Sequence, residues 1–330
     1  MRRLSRIAVL LVAVMAVIAG GLWLYLQQQF EVPGPLDREA VVIVPRGAGL
    51  SAIADNLAAA GVVSDATIFR VGVRLFADAR ALKAGEYAFA PGSSMKEAAE
   101  LLASGRTLVH RLTVPEGLTS TEIVALLAAA EPLAGELGEM PPEGSLLPET
   151  YHFHRGDSRA AVLQRMRQGM DEALAEIWSR RAEELPLRSP EEALILASII
   201  EKETGVDSER ALVAGVFVNR LRRGMPLQSD PTVVYGITLG EAPLGRSLTR
   251  SDLAEPTAYN TYQIPGLPPA PIANPGRASL EAAVNPAETE YLYFVADGNG
   301  GHAFARTLAE HNANVAKWRR HLRGLQKQTN

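Results

Sequence analysis

The chain has 330 residues, enough for two domains or three small ones with a sizeable core. Lys and Arg total 33 against 37 for Asp and Glu, a net charge of −4, so no global basic field is available to attract nucleic acid. With no cysteine there is no disulfide framework, no thiolate nucleophile and no thiolate metal ligand, a composition that fits an envelope protein.

Arg2, Arg3 and Arg6 precede a run from Ile7 to Leu26 without a single charge, and that length matches the hydrocarbon thickness of a bilayer. The run is longer than a secretory h-region and no clean cleavage site follows, so a retained transmembrane helix is expected over 7–26, with a cleaved signal as the alternative. Basic residues before the span and Glu31, Asp37 and Glu39 after it put residues 1–6 in the cytoplasm and the rest of the chain outside. Val32-Pro-Gly-Pro35 marks a linker over 27–40.

From 41 to 106 the pattern is that of a small α+β module. Val41–Val44 predicts a strand, Leu50–Ala60 a helix stopped by Gly61, and Asp65 the cap of a second helix bearing Phe69, Val73 and Phe76. Lys83–Phe89 predicts a turn and strand, and Ser94 with Glu97 a capping box before a third helix. Such a unit is either a binding module or a plain spacer.

A second, larger domain is expected over 107–330. Thr107–Val114 alternates as a strand, Thr119 and Glu122 cap a helix, and Glu131–Gly144 is a Pro- and Gly-rich loop. Ser158–Leu185 predicts a long amphipathic helix, Ser189–Gly205 a buried one, and Ser208 the cap of a third that ends at Gly224. Asp230–Gly276 is expected to be mostly loop, followed by a short helix at 279–284, a hairpin across Asp297-Gly-Asn-Gly-Gly301, and a basic helix from Leu308 to about Arg323.

The 189–205 segment carries the chemistry. Ala193–Ile200 is apolar except for Ser198, and Glu201 follows where the helix dipole is negative. Burial and dipole both disfavour a charged carboxylate, so Glu201 is expected to have a raised pKa and to serve as a general acid; a buried ion pair with Arg220 or Lys202 is the alternative. Glu203 lies about 200° further round the helix and cannot easily share a site with it. Glu203 and Lys202 are expected to form a surface pair.

Two polar stretches are expected to line a sugar site. Gln228, Ser229 and Asp230 sit on a Ser-Asp-Pro turn, and Tyr259, Asn260 and Tyr262 offer flat faces and paired donors and acceptors. A plain connector and structural packing are their respective alternatives. His152 and His154 find no third ligand at a telling spacing, so no metal site and no cofactor are expected.

Leu196-Ala-Ser-Ile-Ile-Glu-Lys-Glu-Thr204, Val216-Phe-Val-Asn-Arg-Leu221, Leu227-Gln-Ser-Asp-Pro-Thr-Val-Val-Tyr-Gly236, Pro256-Thr-Ala-Tyr-Asn-Thr-Tyr262, Gly266-Leu-Pro-Pro269 and Tyr291-Leu-Tyr-Phe-Val-Ala-Asp-Gly298 together resemble the endolytic murein transglycosylase, or YceG-like, family. The resemblance covers nearly all of the chain beyond the apolar run. It implies a single-pass inner-membrane protein with a LysM-like module over 41–106 and a periplasmic catalytic domain. The activity it implies is cleavage of the β-1,4 bond between N-acetylmuramic acid and N-acetylglucosamine in nascent peptidoglycan without added water, leaving a 1,6-anhydro end and terminating strand growth. Membrane-bound peptidoglycan synthases are the implied partners. The resemblance puts the acid on Glu201, with one carboxyl serving both halves of the reaction. Leu147, Glu149 and Ala270 stand where the family pattern has Phe, Asp and Gly. The rivals are a hydrolytic muramidase, which needs a second carboxylate or an activated water, and a non-enzymatic scaffold.

Overall fold

The computed structural model describes residues 2–328 and shows a mixed α+β protein. Helix α1 (Arg2–Glu31) contains the apolar run, and its Arg6–Glu31 portion is long and apolar enough to cross a membrane, at about 39 Å by helix rise. It does not stop where the linker was expected. Nothing in Gln27–Glu31 breaks a helix, and Pro33 is the first residue that does, so residues 27–31 remain helical.

Two compact units follow from the contacts. The first runs to His110 and takes in His152–Gly156; the second comprises Arg111–Tyr151 and the chain from Asp157 onward. The return of 152–156 to the first unit had no counterpart in the sequence pattern.

In the first unit, β1 (Ala40–Val44), α2 (Leu50–Ala59), α3 (Ala66–Phe76) and β2 (Gly85–Phe89) make the expected strand, helix, helix, strand order. β1 and β2 pair antiparallel with Val42 opposite Tyr87. Asp65 accepts the Thr67 and Ile68 N–H groups to start α3, and Ser94 and Glu97 close a full capping box on α4 (Met95–Ser104). Val42, Val44, Leu57, Phe69, Phe89 and Leu102 are all buried in one core, and Phe30 at the end of α1 joins them at 2% exposure. Gly72 makes room for that ring: a Cβ there would lie 2.3 Å from Phe30 Cδ2.

β3 (Val109–Thr113) pairs with β4 (Thr150–His154), and in the second unit α5 (Ser120–Ala129) follows β3 along the chain. α6 (Arg159–Ser179), α7 (Pro190–Glu203) and α8 (Asp207–Arg222) form the helical body. Ser189 accepts the Glu192 N–H as an N-cap, but the Glu192 carboxyl turns to the Arg188 N–H at 2.6 Å, so the capping box is only half formed. α8 starts one residue before Ser208, which caps nothing; Val206 is the N-cap residue and Thr204 Oγ1 accepts the Val206 N–H.

The 230–276 stretch is less irregular than expected. α9 (Asp230–Thr238) grows from the Asp-Pro pair, because proline in a first turn lacks only an N–H that would be unpaired anyway. α10 (Arg250–Ala254) is a further short helix with a Thr249–Asp252 capping box. α11 (Arg277–Val284) packs along α7, the β5 (Tyr293–Ala296) and β6 (His302–Ala305) strands form the expected hairpin, and α12 (Leu308–Gln328) closes the described chain. Leu196, Ile199, Ile200, Val213, Phe217, Leu280 and Val284 form the core, so α7 is the central helix of the unit.

Candidate active site

The two glutamates at the end of α7 diverge, as a spacing of two residues on a helix requires. Glu203 opens onto a cavity of about 440 Å³ lined also by Arg220, Gln228, Asp230, Tyr262, Tyr293 and His302. Glu201 faces elsewhere. Its Oε2 accepts the Gly276 N–H at 2.9 Å, where α11 begins, and Gly117 stands against its Cγ. Lys202 donates to the Gly117 carbonyl at 3.0 Å rather than pairing with Glu203.

The surroundings that favour a neutral carboxyl are found at Glu203. Desolvation by burial pushes its pKa up, and the charge of Asp230 adds to the rise; the Ser229 hydroxyl, His302 and Arg220 pull the other way without overcoming it. Ser229 Oγ donates to Glu203 Oε1 at 2.5 Å. A second elevated carboxyl, Glu116, sits beside Glu201; burial is the main cause and the charge of Glu201 the next.

The loop that carries Gln228, Ser229 and Asp230 is held from below. Arg220, 7% exposed, donates from Nε to the Leu292 carbonyl and from a terminal nitrogen to the Leu227 carbonyl, both at 2.7 Å, which ties the loop to the start of β5. Burial lowers the Arg220 pKa. Gln228 adopts φ 51°, a left-handed conformation rare outside glycine, and its N–H donates to the Thr261 carbonyl at 3.1 Å. Ser229, Thr232 and Thr261 are buried together: the Ser229 N–H donates to Thr261 Oγ1, and Thr232 Oγ1 donates to the Ser229 carbonyl. A strained backbone so firmly pinned is characteristic of a functional loop.

Of the six residues expected to line a sugar site, three share the cavity with Glu203: Gln228, Asp230 and Tyr262. Tyr262 donates its hydroxyl to Asp230 Oδ1 at 2.7 Å. Ser229 is 1% exposed and reaches Glu203, so it supports the acid rather than facing the cavity. Asn260 is fully buried; its amide donates to the carbonyls of Asp252, Leu253 and Glu255 and its Oδ1 accepts the Tyr262 N–H, which makes it the staple of the 252–262 loop. Tyr259 stacks edge-on against Tyr235 with ring centroids 4.9 Å apart and packs on the α7 core.

A second cavity of about 490 Å³ lies on the other side of Asp230, lined by Lys202, Pro231, Val234, Tyr235 and Ile272 among others. The first turn of α9 thus separates two hollows. Below it, Glu143 accepts the Ser120 N–H, the Asn274 amide and the Tyr235 hydroxyl, with burial raising its pKa. Leu147, one of the departures from the family pattern, is buried in the α7 core, and Glu149 pairs with Arg277 at 3.3 Å. Among the described residues no group of three or more His, Asp or Glu side chains converges on a metal position.

Glu203, Arg220 and Tyr293 line this cavity but were not among the residues the sequence pointed to as a site. Only their distant neighbours reveal them, since Glu203 looks like a solvated helix end until the 226–229 loop and β5 fold over it.

An enclosed carboxyl at a helix end, aimed into a polar cavity, defines an enzyme of the acid–base class. The chain belongs to the YceG-like family, which it matches over residues 42–317. It is similar to the endolytic murein transglycosylase of Bacillus subtilis strain 168, 31% identical over an alignment that covers 91% of each chain. It is also similar to the protein of the same description in Streptococcus pneumoniae strain D39, 28% identical over 83% of this chain and 57% of that longer one. A crystal structure of a YceG-like protein from Listeria monocytogenes superposes with a TM-score of 0.53 at 31% identity, covering 84% of this chain and 99% of that one.

Proposed function

We propose that this protein is a lytic transglycosylase that cuts the MurNAc-β-1,4-GlcNAc bond within nascent peptidoglycan strands, and that its general acid is Glu203 rather than Glu201. The relatives' shared description supports the reaction class. The observation that carries the choice of acid is the cavity: Glu203 opens onto it beside Gln228, Asp230 and Tyr262, and burial holds its proton. Glu201 instead caps the start of α11.

Protonated Glu203 gives its hydrogen to the glycosidic oxygen as the C1–O bond breaks, and the C6 hydroxyl of the same muramyl residue closes on C1. No water is added, so the cut ends carry 1,6-anhydro-MurNAc. The hydroxyl proton leaves to a base in the same cavity. Gln228 and Tyr262 offer the hydrogen bonds that orient sugar hydroxyls, and Tyr262 holds Asp230.

α1 would anchor the protein in the inner membrane with its amino terminus in the cytoplasm, which sets the catalytic unit on the periplasmic side beside membrane-bound synthases. The β1-α2-α3-β2 unit would act as a LysM-like glycan-binding module. A glycan-binding scaffold without catalysis is the reading opposed to this one.

The test weighs the products of wild type, Glu203→Gln and Glu201→Gln acting on un-crosslinked glycan strands. Anhydro ends from wild type and Glu201→Gln, with at least a 100-fold loss in Glu203→Gln, are expected. Reducing ends would replace the lytic course with hydrolysis, full activity of Glu203→Gln would remove this acid, and no cleavage by any of the three would leave the scaffold.

A further inference from the structure

His302 opens onto the same cavity as Glu203, and the proposed reaction gives it no task. Its ring is fixed from two sides. Nδ1 lies 2.7 Å from Glu209 Oε2, and the His302 backbone N–H donates to Glu209 Oε1 at 3.0 Å, so one carboxylate holds both the ring and its backbone. The approach is possible because residue 301 is glycine: a Cβ there would lie 2.6 Å from Glu209 Oε1. Phe294 meets the ring edge-on with centroids 5.3 Å apart, which leaves it little freedom to rotate.

A carboxylate can only accept, so Nδ1 donates to Glu209 and, in the neutral ring, Nε2 is the acceptor. This is the arrangement of a base oriented by a third group. The charged and titratable groups around it are Glu209 and Arg220 on α8, Glu203 at the end of α7, Asp297 in the hairpin turn and His311 on α12.

We propose that the Glu209–His302 pair is the base of the reaction: His302 Nε2 takes the proton of the C6 hydroxyl while Glu203 protonates the leaving oxygen. This rests on the lytic reaction and the Glu203 assignment made above. The C1–O4 bond breaks and the C1–O6 bond forms; Glu203 ends as carboxylate, His302 as imidazolium, and proton exchange with solvent restores both. The division of labour differs from a single carboxyl that gives one proton and takes back the other.

The experiment uses the full chain in detergent on un-crosslinked glycan strands, following anhydro ends against pH for wild type, His302→Ala, Glu209→Gln and Glu203→Gln. Wild type should show a bell, with the ascending limb set by neutral His302. His302→Ala should lose about 100-fold in kcat with KM unchanged, lose that limb, and recover activity when imidazole is added. Glu209→Gln, of nearly equal volume, should move the limb to lower pH, because removing a carboxylate makes the imidazolium easier to deprotonate. A His302→Ala protein within threefold of wild type, or one that imidazole does not restore, overturns the proposal; so does an unmoved limb in Glu209→Gln. Loss of activity in Glu203→Gln beside an unaffected His302→Ala rejects the histidine alone. Undiminished activity in Glu203→Gln rejects the acid assignment instead.

Discussion

At the scale of single residues, two glutamates separated by one lysine have opposite employment. Glu201 accepts a backbone N–H at the head of α11, and Glu203 opens onto a cavity where burial pushes its pKa up. Glu201→Ala, which removes the acceptor, should therefore lower stability by about 1 kcal/mol, the net value of one such hydrogen bond, with kcat preserved; denaturant unfolding together with an activity assay checks both. The raised pKa of Glu203 has two consequences of definite sign. With Glu203 as the proposed acid, activity should fall as pH rises through its raised pKa, a descending limb that a pH–rate profile would show. Stability is also affected. Below pH about 4 neither the folded nor the unfolded carboxyl is ionised and nothing is lost; as pH rises past the ordinary carboxyl value the unfolded chain releases its proton first, and the folded state becomes relatively less stable. Glu203→Gln escapes that loss, so its melting temperature should match wild type near pH 4 and exceed it near pH 8.

The sequence does not separate the two glutamates, for a plain cause. The apolar run and the helix dipole act almost equally on positions 201 and 203, and helical spacing says only that the two must diverge. Which of the two faces a cavity depends on Ser229, Arg220 and β5, groups that lie 17 to about 90 residues away along the chain.

At the scale of elements, local signals served well wherever they were self-contained. The Asp65 cap, the Ser94 and Thr119 capping boxes and the left-handed glycine at Gly61 are written in four or five neighbouring residues, and each is found in place. Signals that admit two readings fared worse. Ser189 and Glu192 can make a box, yet the Arg188 N–H competes for the carboxyl. Asp-Pro can make a turn or begin a helix, and here α9 begins. The 252–262 loop shows how a polar cluster can be architectural: Asn260 satisfies three carbonyls and one N–H that burial would otherwise leave unpaired. Asn260→Ala should cost about 2 kcal/mol and release Tyr262 from Asp230, raising KM more than it lowers kcat. Calorimetry and steady-state kinetics on the same preparation would check it.

At the scale of the whole molecule, α1 does two things. Its uncharged run is long and apolar enough to cross a bilayer, and its last turn carries Phe30 into the core of the first unit against Phe69 and Gly72. A soluble form beginning at Gln27 keeps that ring, and one beginning at Val32 loses it. The shorter form should be less stable by about 3 to 5 kcal/mol, the cost of removing a buried phenylalanine, measurable as an earlier denaturant midpoint. A boundary drawn at the last apolar residue of the span would miss this, because periodicity identifies a hydrophobic helix without saying where its end is buried.

What the amino-acid sequence determined by itself is what short-range physics can carry: an uncharged run of bilayer length, caps and turns, the periodicity of core faces, and the family to which its ordered motifs belong. Tertiary structure alone decided which glutamate is enclosed, which polar residues face the cavity and which hold loops, and that His152–Gly156 rejoin the first unit. Desolvation is the reason. A carboxyl's proton affinity depends on everything that displaces water around it, and at Glu203 those groups come from α8, the 226–230 loop, Tyr262 and the final hairpin, which folding brings together and no local pattern records.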